Sequence, residues 1–378
     1  MTAEDHYYMA RAIRLAEQGL YTTHPNPRVG CVLVRDGVIV GEGFHHRAGE
    51  PHAERNALAE AGERARGATA YVTLEPCCHH GRTPPCSDGL IEAGVVRVVV
   101  AMTDPNPRVA GQGIAQLQAA GIRVDQGVMT AQAQALNPGF IARMSRGRPF
   151  VRCKLAMSLD GRTAMASGES KWITSEAARL DVQRLRARSD AIVTGIGTVR
   201  ADDPSMNVRL RAAELPGVVS DDYLPQPLRV VLDPDLQLSP TARMLSLPGP
   251  TLVISVTDDE SRRQALEAAG AEVIQLPRRG LGIDLERLME TLAQRGINEV
   301  LIESGPTLAG AAVAAGVVDE LTIYAAPILM GSDARGLLNL PALTEMKDRI
   351  ALEIEDLRMV GPDLRIRVKP TRAIKVES

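Results

Sequence analysis

Apolar and polar positions change period along the chain, and each change marks an element. A helical stretch runs from about Asp5 to Leu20 and stops at a Gly-containing turn. Val32-Leu33-Val34 and Val38-Ile39-Val40 then flank Arg35-Asp36-Gly37, which is the pattern of a β-hairpin. Next come a helix from about His52 to Arg66, a strand from Ala70 to Leu74 and a polar loop of Cys, His and Pro reaching Pro85. A helix to about Ala93 and a strand from Val95 to Ala101 follow, and two further helices enclose a short strand, Ile122 to Val124. Apolar strand runs alternating with helices predict an α/β domain layered around a mostly parallel sheet.

A basic turn, Arg146-Gly147-Arg148-Pro149, separates this part from a second one and predicts domains at 1–146 and 147–378. Strand-like runs in the second part are Phe150 to Ala156, Ala191 to Thr194, Leu228 to Leu232, Thr251 to Val256, Glu272 to Leu276, Glu299 to Glu303 and Leu321 to Pro327. Helical stretches such as Ser175 to Arg188, Ser261 to Ala269 and Asp284 to Arg295 lie between several of them. Ala351 to Met359 and Leu364 to Val368 around Gly361-Pro362 read as a closing hairpin, and Arg211 to Pro227 reads as a surface loop. The expected fold is therefore α/β, as two three-layer α/β/α domains.

Composition narrows the function classes. The chain has 378 residues, and a net charge of -3 gives no broad basic field for a phosphate backbone. Aromatics are 3% of the chain, too few for a base-stacking platform. No run approaches the roughly 18 apolar residues of a membrane helix, and no leader pattern is seen, so a soluble cytoplasmic protein is expected. All seven histidines lie between His6 and His80, and the last of the five cysteines is Cys153. Only the first part can therefore hold a transition metal on nitrogen and sulfur.

His52-Ala53-Glu54 opens a helix, and Glu75-Pro76-Cys77 and Cys86 follow the next strand. Three His and Cys ligands with one open position describe a catalytic zinc. On a helix His52 and Glu54 point about 200° apart, so Glu54 is read as an acid/base beside the metal rather than a ligand. The alternative is a closed structural zinc with His79 or His80 as fourth ligand. Adjacent cysteines do not easily share one ion, and Cys77 is preferred to Cys78 because it follows Pro76. His24, His45 and His46 are left open between loop positions and substrate contacts.

The strings His-Ala-Glu, Glu-Pro-Cys and a second Cys resemble the cytidine-deaminase-like superfamily. The longer runs from Thr22 to Cys31 and from Glu75 to Cys86 resemble its branch of pyrimidine deaminases of riboflavin biosynthesis. Eight residues separate Cys77 from Cys86, as in that branch, where most of the superfamily has two. Lys154 to Gly161, Ser170 to Ile173, Ala201 to Pro204 and Glu303 to Leu308 resemble the reductase to which that deaminase is commonly fused, whose fold is like dihydrofolate reductase.

This resemblance implies a bifunctional enzyme. Zinc-dependent deamination of 2,5-diamino-6-(5-phosphoribosylamino)pyrimidin-4(3H)-one would precede NADPH-dependent reduction of its ribosyl group. It implies that Ala156, Trp172, Thr198, Asp202 and the turn Gly305, Pro306, Thr307, Leu308, Ala309, Gly310 and Ala311 contact NADPH. Ser170, Arg186, Met206, Arg209 and Glu303 would face the substrate. Strand Glu299 to Glu303 running through Gly305 into a helix at Pro306 suits a pyrophosphate on free backbone N–H groups, and Trp172 would pack on nicotinamide or fill the core. Asp202 is the expected proton donor of the reduction, with Glu303 or Lys154 as alternatives. A homo-oligomer, dimer or tetramer, is expected through the reductase domain, where Ala309 to Val318 is apolar. Competing readings are a nucleic-acid base deaminase with an accessory domain and a zinc-stabilised binding module in which Glu54 is a helix-start carboxylate. Gly195-x-Gly197-x-x-Arg200 lacks the third Gly of a dinucleotide fingerprint and carries no weight.

Overall fold

The computed structural model describes residues 1–79, 84–107, 109–280 and 282–371, so His80 and Gly81 to Thr83 of the polar loop lie outside the described residues. The chain forms two compact units. One is Met1–Gly147 with Arg211–Leu224, and the other is Arg148–Leu210 with Pro225–Ser378.

The first unit opens with α1 (Ala3–Glu17), whose start is fixed by reciprocal Thr2 and Asp5 capping. Strands β1 (Gly30–Arg35) and β2 (Val38–Phe44) form the expected hairpin. Its turn residues Asp36 and Gly37 sit at φ 52° and 74°, the left-handed geometry that a two-residue hairpin turn needs. Then follow α2 (Ala53–Ala61), β3 (Thr69–Val72), α3 (Cys86–Glu92), β4 (Arg97–Val100), α4 (Gln112–Ala119), β5 (Arg123–Gln126), α5 (Thr130–Leu136) and α6 (Pro138–Arg146). The expected long second helix ends early, because Gly62 leaves the helical conformation at φ 56°. The sheet order is β2-β1-β3-β4-β5. Contrary to the expectation of a mostly parallel sheet it is mixed: β1 runs antiparallel to both neighbours, and only β3, β4 and β5 are parallel. Period-two alternation sends Val32, Tyr71 and Val99 to a core under α1, α5 and α6. Leu33, Val72 and Val98 go to an opposite core under α2, α3 and α4.

Much of Arg211 to Leu224 is exposed, as expected of a surface loop, but the segment is anchored. Within the first unit Ala212, Leu215 and Val218 are buried. Gly217, at φ +77°, approaches α1 so closely that a Cβ would lie 1.7 Å from the Gln18 carbonyl oxygen.

The second unit contains β6 (Phe150–Ser158), β7 (Arg162–Ala164), α7 (Glu176–Ala187), β8 (Ala191–Gly195), α8 (Ile196–Asp202), β9 (Leu228–Leu232), β10 (Thr251–Ser255), α9 (Glu260–Ala268) and β11 (Ala271–Gln275). The short pair β12 (Arg278–Arg279) and β13 (Gly282–Ile283) leads to α10 (Leu285–Gln294), β14 (Glu299–Glu303), α11 (Pro306–Ala314) and β15 (Glu320–Ala326). β16 (Arg335–Gly336) pairs with β7, and β17 (Leu352–Val360) and β18 (Asp363–Pro370) form the closing hairpin. The main sheet has the order β11-β10-β9-β8-β14-β6-β15-β18-β17. The first seven strands are parallel, and the hairpin continues the sheet antiparallel. Helices α10 and α11 cover one face through Leu288, Leu292, Ala309 and Val313, while α7, α8 and α9 cover the other through Val182, Val199 and Leu266. Both units are thus three-layer α/β/α structures.

Ala309 to Val318 does not offer an interface, because Ala309, Ala312, Val313, Val317 and Val318 are buried in this unit's own core. A run of exposed apolar residues lies on the edge strand β17, where Leu352, Ile354, Leu357 and Met359 are all open. A register shift between Ile354 and Asp356 resets the alternation, so all four share one face.

Candidate active sites

In the first unit two helix starts and a strand end converge. His52 is the N-cap of α2, with extended backbone at ψ 166°, so the helical angle expected between it and Glu54 does not apply. The extended cap turns the imidazole toward the sulfurs while Glu54 occupies the first turn. His52 Nδ1 lies 3.5 Å from Cys77 Sγ and 3.4 Å from Cys86 Sγ, and the Cys86 N–H donates to Cys77 Sγ at 3.4 Å. The ligand atoms of these three residues all fall within 4.8 Å of one another. A tetrahedral zinc with bonds of about 2.3 Å to sulfur and 2.0–2.1 Å to nitrogen needs nitrogen-to-sulfur separations of roughly 3.5 Å. The donor set therefore fits zinc in both chemistry and spacing. Cys78 Sγ is directed elsewhere, 4.0 Å from Gln112 Oε1, and His79 is exposed.

The electrostatics of this cluster are displaced from ordinary values. A hydrogen bond from Cys86, then one with His52, pulls the Cys77 thiol down to about 4. Glu54 is 3% exposed. Burial first, and the neighbouring Cys77 second, push its carboxyl up to about 7. A carboxyl poised there exchanges protons near neutrality, as an acid/base must.

Sequence reasoning left His45 undecided. Its ring is buried, its Nδ1 lies 3.1 Å from the Pro51 carbonyl oxygen and its Nε2 3.0 Å from Asn26 Nδ2, and it meets the His52 ring edge-on at 5.2 Å. His24 Nε2 lies 3.3 Å from Arg28, and His46 stacks on Phe44. Through Asn26 and His45 the run from Thr22 to Arg28 is linked to His52, a signal carried in sequence only by its density of Thr, His, Asn and Pro.

In the second unit the carboxyl ends of β8 and β14 lie side by side, and the helices that follow them, α8 and α11, pack on opposite faces. Such a switch point opens the crevice where α/β sheets bind ligands. Gly305 caps α11 without a side chain, Pro306 takes the first helical position, and the Gly305 N–H donates to Thr198 Oγ1 at 3.2 Å. This uncapped, uncharged helix start suits a cofactor phosphate. Of the turn expected to hold NADPH, the first residues are accessible, but Ala309 and Gly310 face the core. Gly310 lacks a Cβ because one would lie 2.1 Å from the Asn339 carbonyl oxygen. Thr307 is exposed and accepts from Asn339 Nδ2 at 3.0 Å, while Leu308 is half-buried and Ala311 exposed.

Trp172 is 71% exposed, which excludes the core-filling alternative, and the Arg179 guanidinium lies 4.5 Å over its ring. Ala156 and Ser170 are half-buried. Arg186 grips Glu303 with two bonds of 2.6 and 2.8 Å. Burial pulls Lys154 below its ordinary value, against the nearby Glu303. Arg209 is exposed, and its backbone N–H donates to Gln183. Met206 sits at φ 47° with its side chain in the core, which leaves only its backbone for a ligand. Asp202 forms an ion pair with Lys171 at 2.9 Å. An ionised carboxylate held by an ammonium is an acceptor, which speaks against its expected part as proton donor.

Comparison with known proteins decides between the readings. Residues 149–366 match the family model described as the RibD C-terminal domain, and residues 2–102 match the cytidine and deoxycytidylate deaminase zinc-binding region. The riboflavin biosynthesis protein RibD of Escherichia coli is 53% identical over 96% of this chain and 98% of its own length. The chain belongs to the RibD family. Solved structures agree: an Acinetobacter baumannii RibD superposes with a TM-score of 0.88 at 48% identity, covering 97% of this chain and 99% of that one. A Thermotoga maritima protein described as a diaminohydroxyphosphoribosylaminopyrimidine deaminase/5-amino-6-(5-phosphoribosylamino)uracil reductase superposes at 0.83 with 32% identity, covering 97% and 98%. As a RibD-family chain this is a bifunctional riboflavin biosynthesis enzyme, a deaminase joined to a reductase, with Zn²⁺ and NADPH as cofactors. The nucleic-acid deaminase and the zinc-stabilised binding module fall away, because the family match spans both units.

Proposed function

We propose that the first unit deaminates 2,5-diamino-6-(5-phosphoribosylamino)pyrimidin-4(3H)-one and that the second reduces the product to 5-amino-6-(5-phosphoribitylamino)uracil. The convergence of His52, Cys77 and Cys86 beside a buried Glu54 carries this reading. His52, Cys77 and Cys86 hold Zn²⁺, which when bound supplies the Lewis acidity that makes water nucleophilic near neutral pH. Glu54 takes a proton from the attacking water and returns it to the departing amino group, which leaves as ammonia. Asn26 and His45 wall the pocket and orient the pyrimidine through polar contacts.

In the second unit Gly305, Pro306 and Thr307, beside Thr198, would hold the pyrophosphate of NADPH. Ala156, Trp172, Asp202, Leu308 and Ala311 would contact the rest of the cofactor. The hydride chemistry is the cofactor's. Arg209 and the Arg186–Glu303 pair hold the ribose phosphate end, with Ser170 and the Met206 backbone beside them. Lys154 donates the proton that accompanies ring opening. Its charged form is opposed by burial and favoured by the nearby Glu303, which leaves it able to release a proton, whereas Asp202 is engaged by Lys171.

A second copy of the chain covers the apolar face of β17, giving a homo-oligomer through the reductase unit. No described helix is long and apolar enough to cross a membrane, and a cytoplasmic site of action suits a nucleotide-like phosphate substrate.

Mass spectrometry of the zinc-loaded protein with the diaminopyrimidinone ribose phosphate tests this, once without and once with NADPH. Deaminated product alone is expected without NADPH, and deaminated and reduced product with it. Unchanged substrate in both tubes, with zinc bound, would overturn the reading.

A further inference from the structure

Eight residues separate Cys77 from Cys86, too long a spacer to fix two sulfurs within contact of one imidazole. Something outside the loop must set their separation, and a closed polar ring runs from one cysteine to the other. It starts at Glu75, two residues before Cys77 and 3% exposed. Its Oε2 accepts from the N–H groups of Asp104 at 3.1 Å and Gly111 at 3.0 Å. Its Oε1 accepts from those of Gly113 at 3.0 Å and Ile114 at 3.2 Å. Gly111, Gly113 and Ile114 are the N-cap and the first turn of α4, which has no side-chain cap of its own. A distant carboxylate therefore caps the helix and satisfies its free donors. The approach is tight: a Cβ on Gly113 would lie 2.0 Å from the Pro76 carbonyl oxygen.

One turn further on, Gln116 of α4 reaches α3. Its Oε1 accepts from Ser87 Oγ at 2.8 Å and its Nε2 donates to Asp88 Oδ1 at 2.6 Å. Ser87 closes the ring, because its N–H donates to the Cys77 carbonyl oxygen at 3.1 Å while its one hydroxyl proton serves Gln116. Ser87 and Asp88 directly follow Cys86 on α3. The path therefore runs from Cys77 back to Glu75, across α4, and through Gln116 to the turn that carries Cys86.

We propose that Glu75 and Gln116 are positioning residues that set the separation of the two thiolates, doing by hydrogen bonding what a short spacer would do covalently. Neither residue touches the metal. The proposal rests on the reading of His52, Cys77 and Cys86 as zinc ligands. The test measures zinc affinity of the full-length protein by competition with a chromophoric chelator, for wild type, Glu75→Gln and Gln116→Leu. NADPH-dependent reduction of pre-deaminated substrate serves as an internal check of folding.

Glu75→Gln turns an amide NH₂ toward two N–H donors, and Gln116→Leu removes the link to α3 with little change of volume. Zinc affinity about 10- to 100-fold weaker is expected for both, with reduction unchanged and deamination recovering toward the wild-type kcat at saturating zinc. If Glu75→Gln fails to fold, Gln116→Leu decides alone. Wild-type zinc affinity in Gln116→Leu would overturn the proposal, as would a lost deamination rate that excess zinc does not restore. A wild-type protein that binds no zinc at all would overturn the ligand reading instead, a distinct outcome.

Discussion

The two units place their buried ionisable groups differently. In the first, besides the Asp5–Arg97 pair, a group of them gathers beside the metal site with protonation equilibria far from ordinary: Glu54 pushed up to about 7 by burial, Cys77 pulled down to about 4 by Cys86 and His52, and Asp104 raised to about 6 by burial. In the second, most of the buried charges near the middle of the sheet are matched in pairs and triads. Arg152 lies between Glu299 and Glu320, Arg186 holds Glu303, and Arg365 and Tyr324 share Asp181. The difference follows from where the reactivity resides. A hydrolytic deamination needs the protein's own side chains to move protons, so they must titrate near working pH. A hydride transfer is performed by the cofactor, so the protein's charges mainly orient ligands and are best kept neutralised in place.

Removing the titrating group should separate the units most clearly. Glu54→Gln is expected to lower deamination by about a thousandfold and to leave reduction of pre-deaminated substrate at the wild-type rate. Substantial deamination by a zinc-loaded Glu54→Gln protein would show that the first unit does not rely on its own proton carrier. Next in size, Lys154→Met should slow reduction by about a hundredfold with deamination intact. Asp202→Asn should affect the reduction less than Lys154→Met does, and the reverse order would return the donor role to the carboxylate.

Stability changes sharpen the same contrast. Gly217→Ala places a Cβ on a left-handed residue and into the Gln18 carbonyl, and should cost the first unit about 2–3 kcal/mol. Calorimetry would read this as a transition lowered by several degrees for the deaminase unit, with the reductase unit unmoved. The smallest effect concerns acid. Asp5, buried and hydrogen-bonded by Arg97 at 2.7 and 3.1 Å, has its carboxyl held well below the usual range, first of all by that guanidinium. A depressed folded-state value means that its stabilisation is fully present above pH about 4 and is lost as pH falls below it. Asp5→Asn should cost about 1–2 kcal/mol at pH 7 and flatten that acid dependence. An unaltered pH slope in urea titrations would assign acid sensitivity elsewhere.

Sequence disclosed these features unequally, for physical reasons. The zinc ligands and Glu54 stand in short local strings, because helix starts and strand ends place neighbouring residues in a fixed relation. Strand positions were legible from apolar runs, but not their direction, since Val32 and Val98 look alike in antiparallel and parallel pairs. Arg186 and Glu303 lie 117 residues apart and no local pattern links them, so only the family resemblance suggested both. Glu75 sat in view within the Glu-Pro-Cys string, yet its four N–H partners come from a segment some thirty to forty residues later, beyond the reach of spacing arguments. The segment from Arg211 to Leu224 reads as a surface loop and much of it is exposed, but its anchoring to the first unit was not legible. Its anchoring residues, Ala212, Leu215 and Val218, are few and widely spaced.

That segment bears on how such a gene can be divided. The deaminase unit is discontinuous, closed by a stretch of polypeptide encoded well inside the reductase sequence. A cut after Gly147 would release a deaminase missing part of its surface and a reductase trailing an orphaned apolar loop. Separate expression of the two activities would therefore need a redesigned replacement at the end of α1 and a shortened connection between Leu210 and Pro225. In this chain fusion is part of the architecture of the first enzyme as well as a way to deliver two enzymes together.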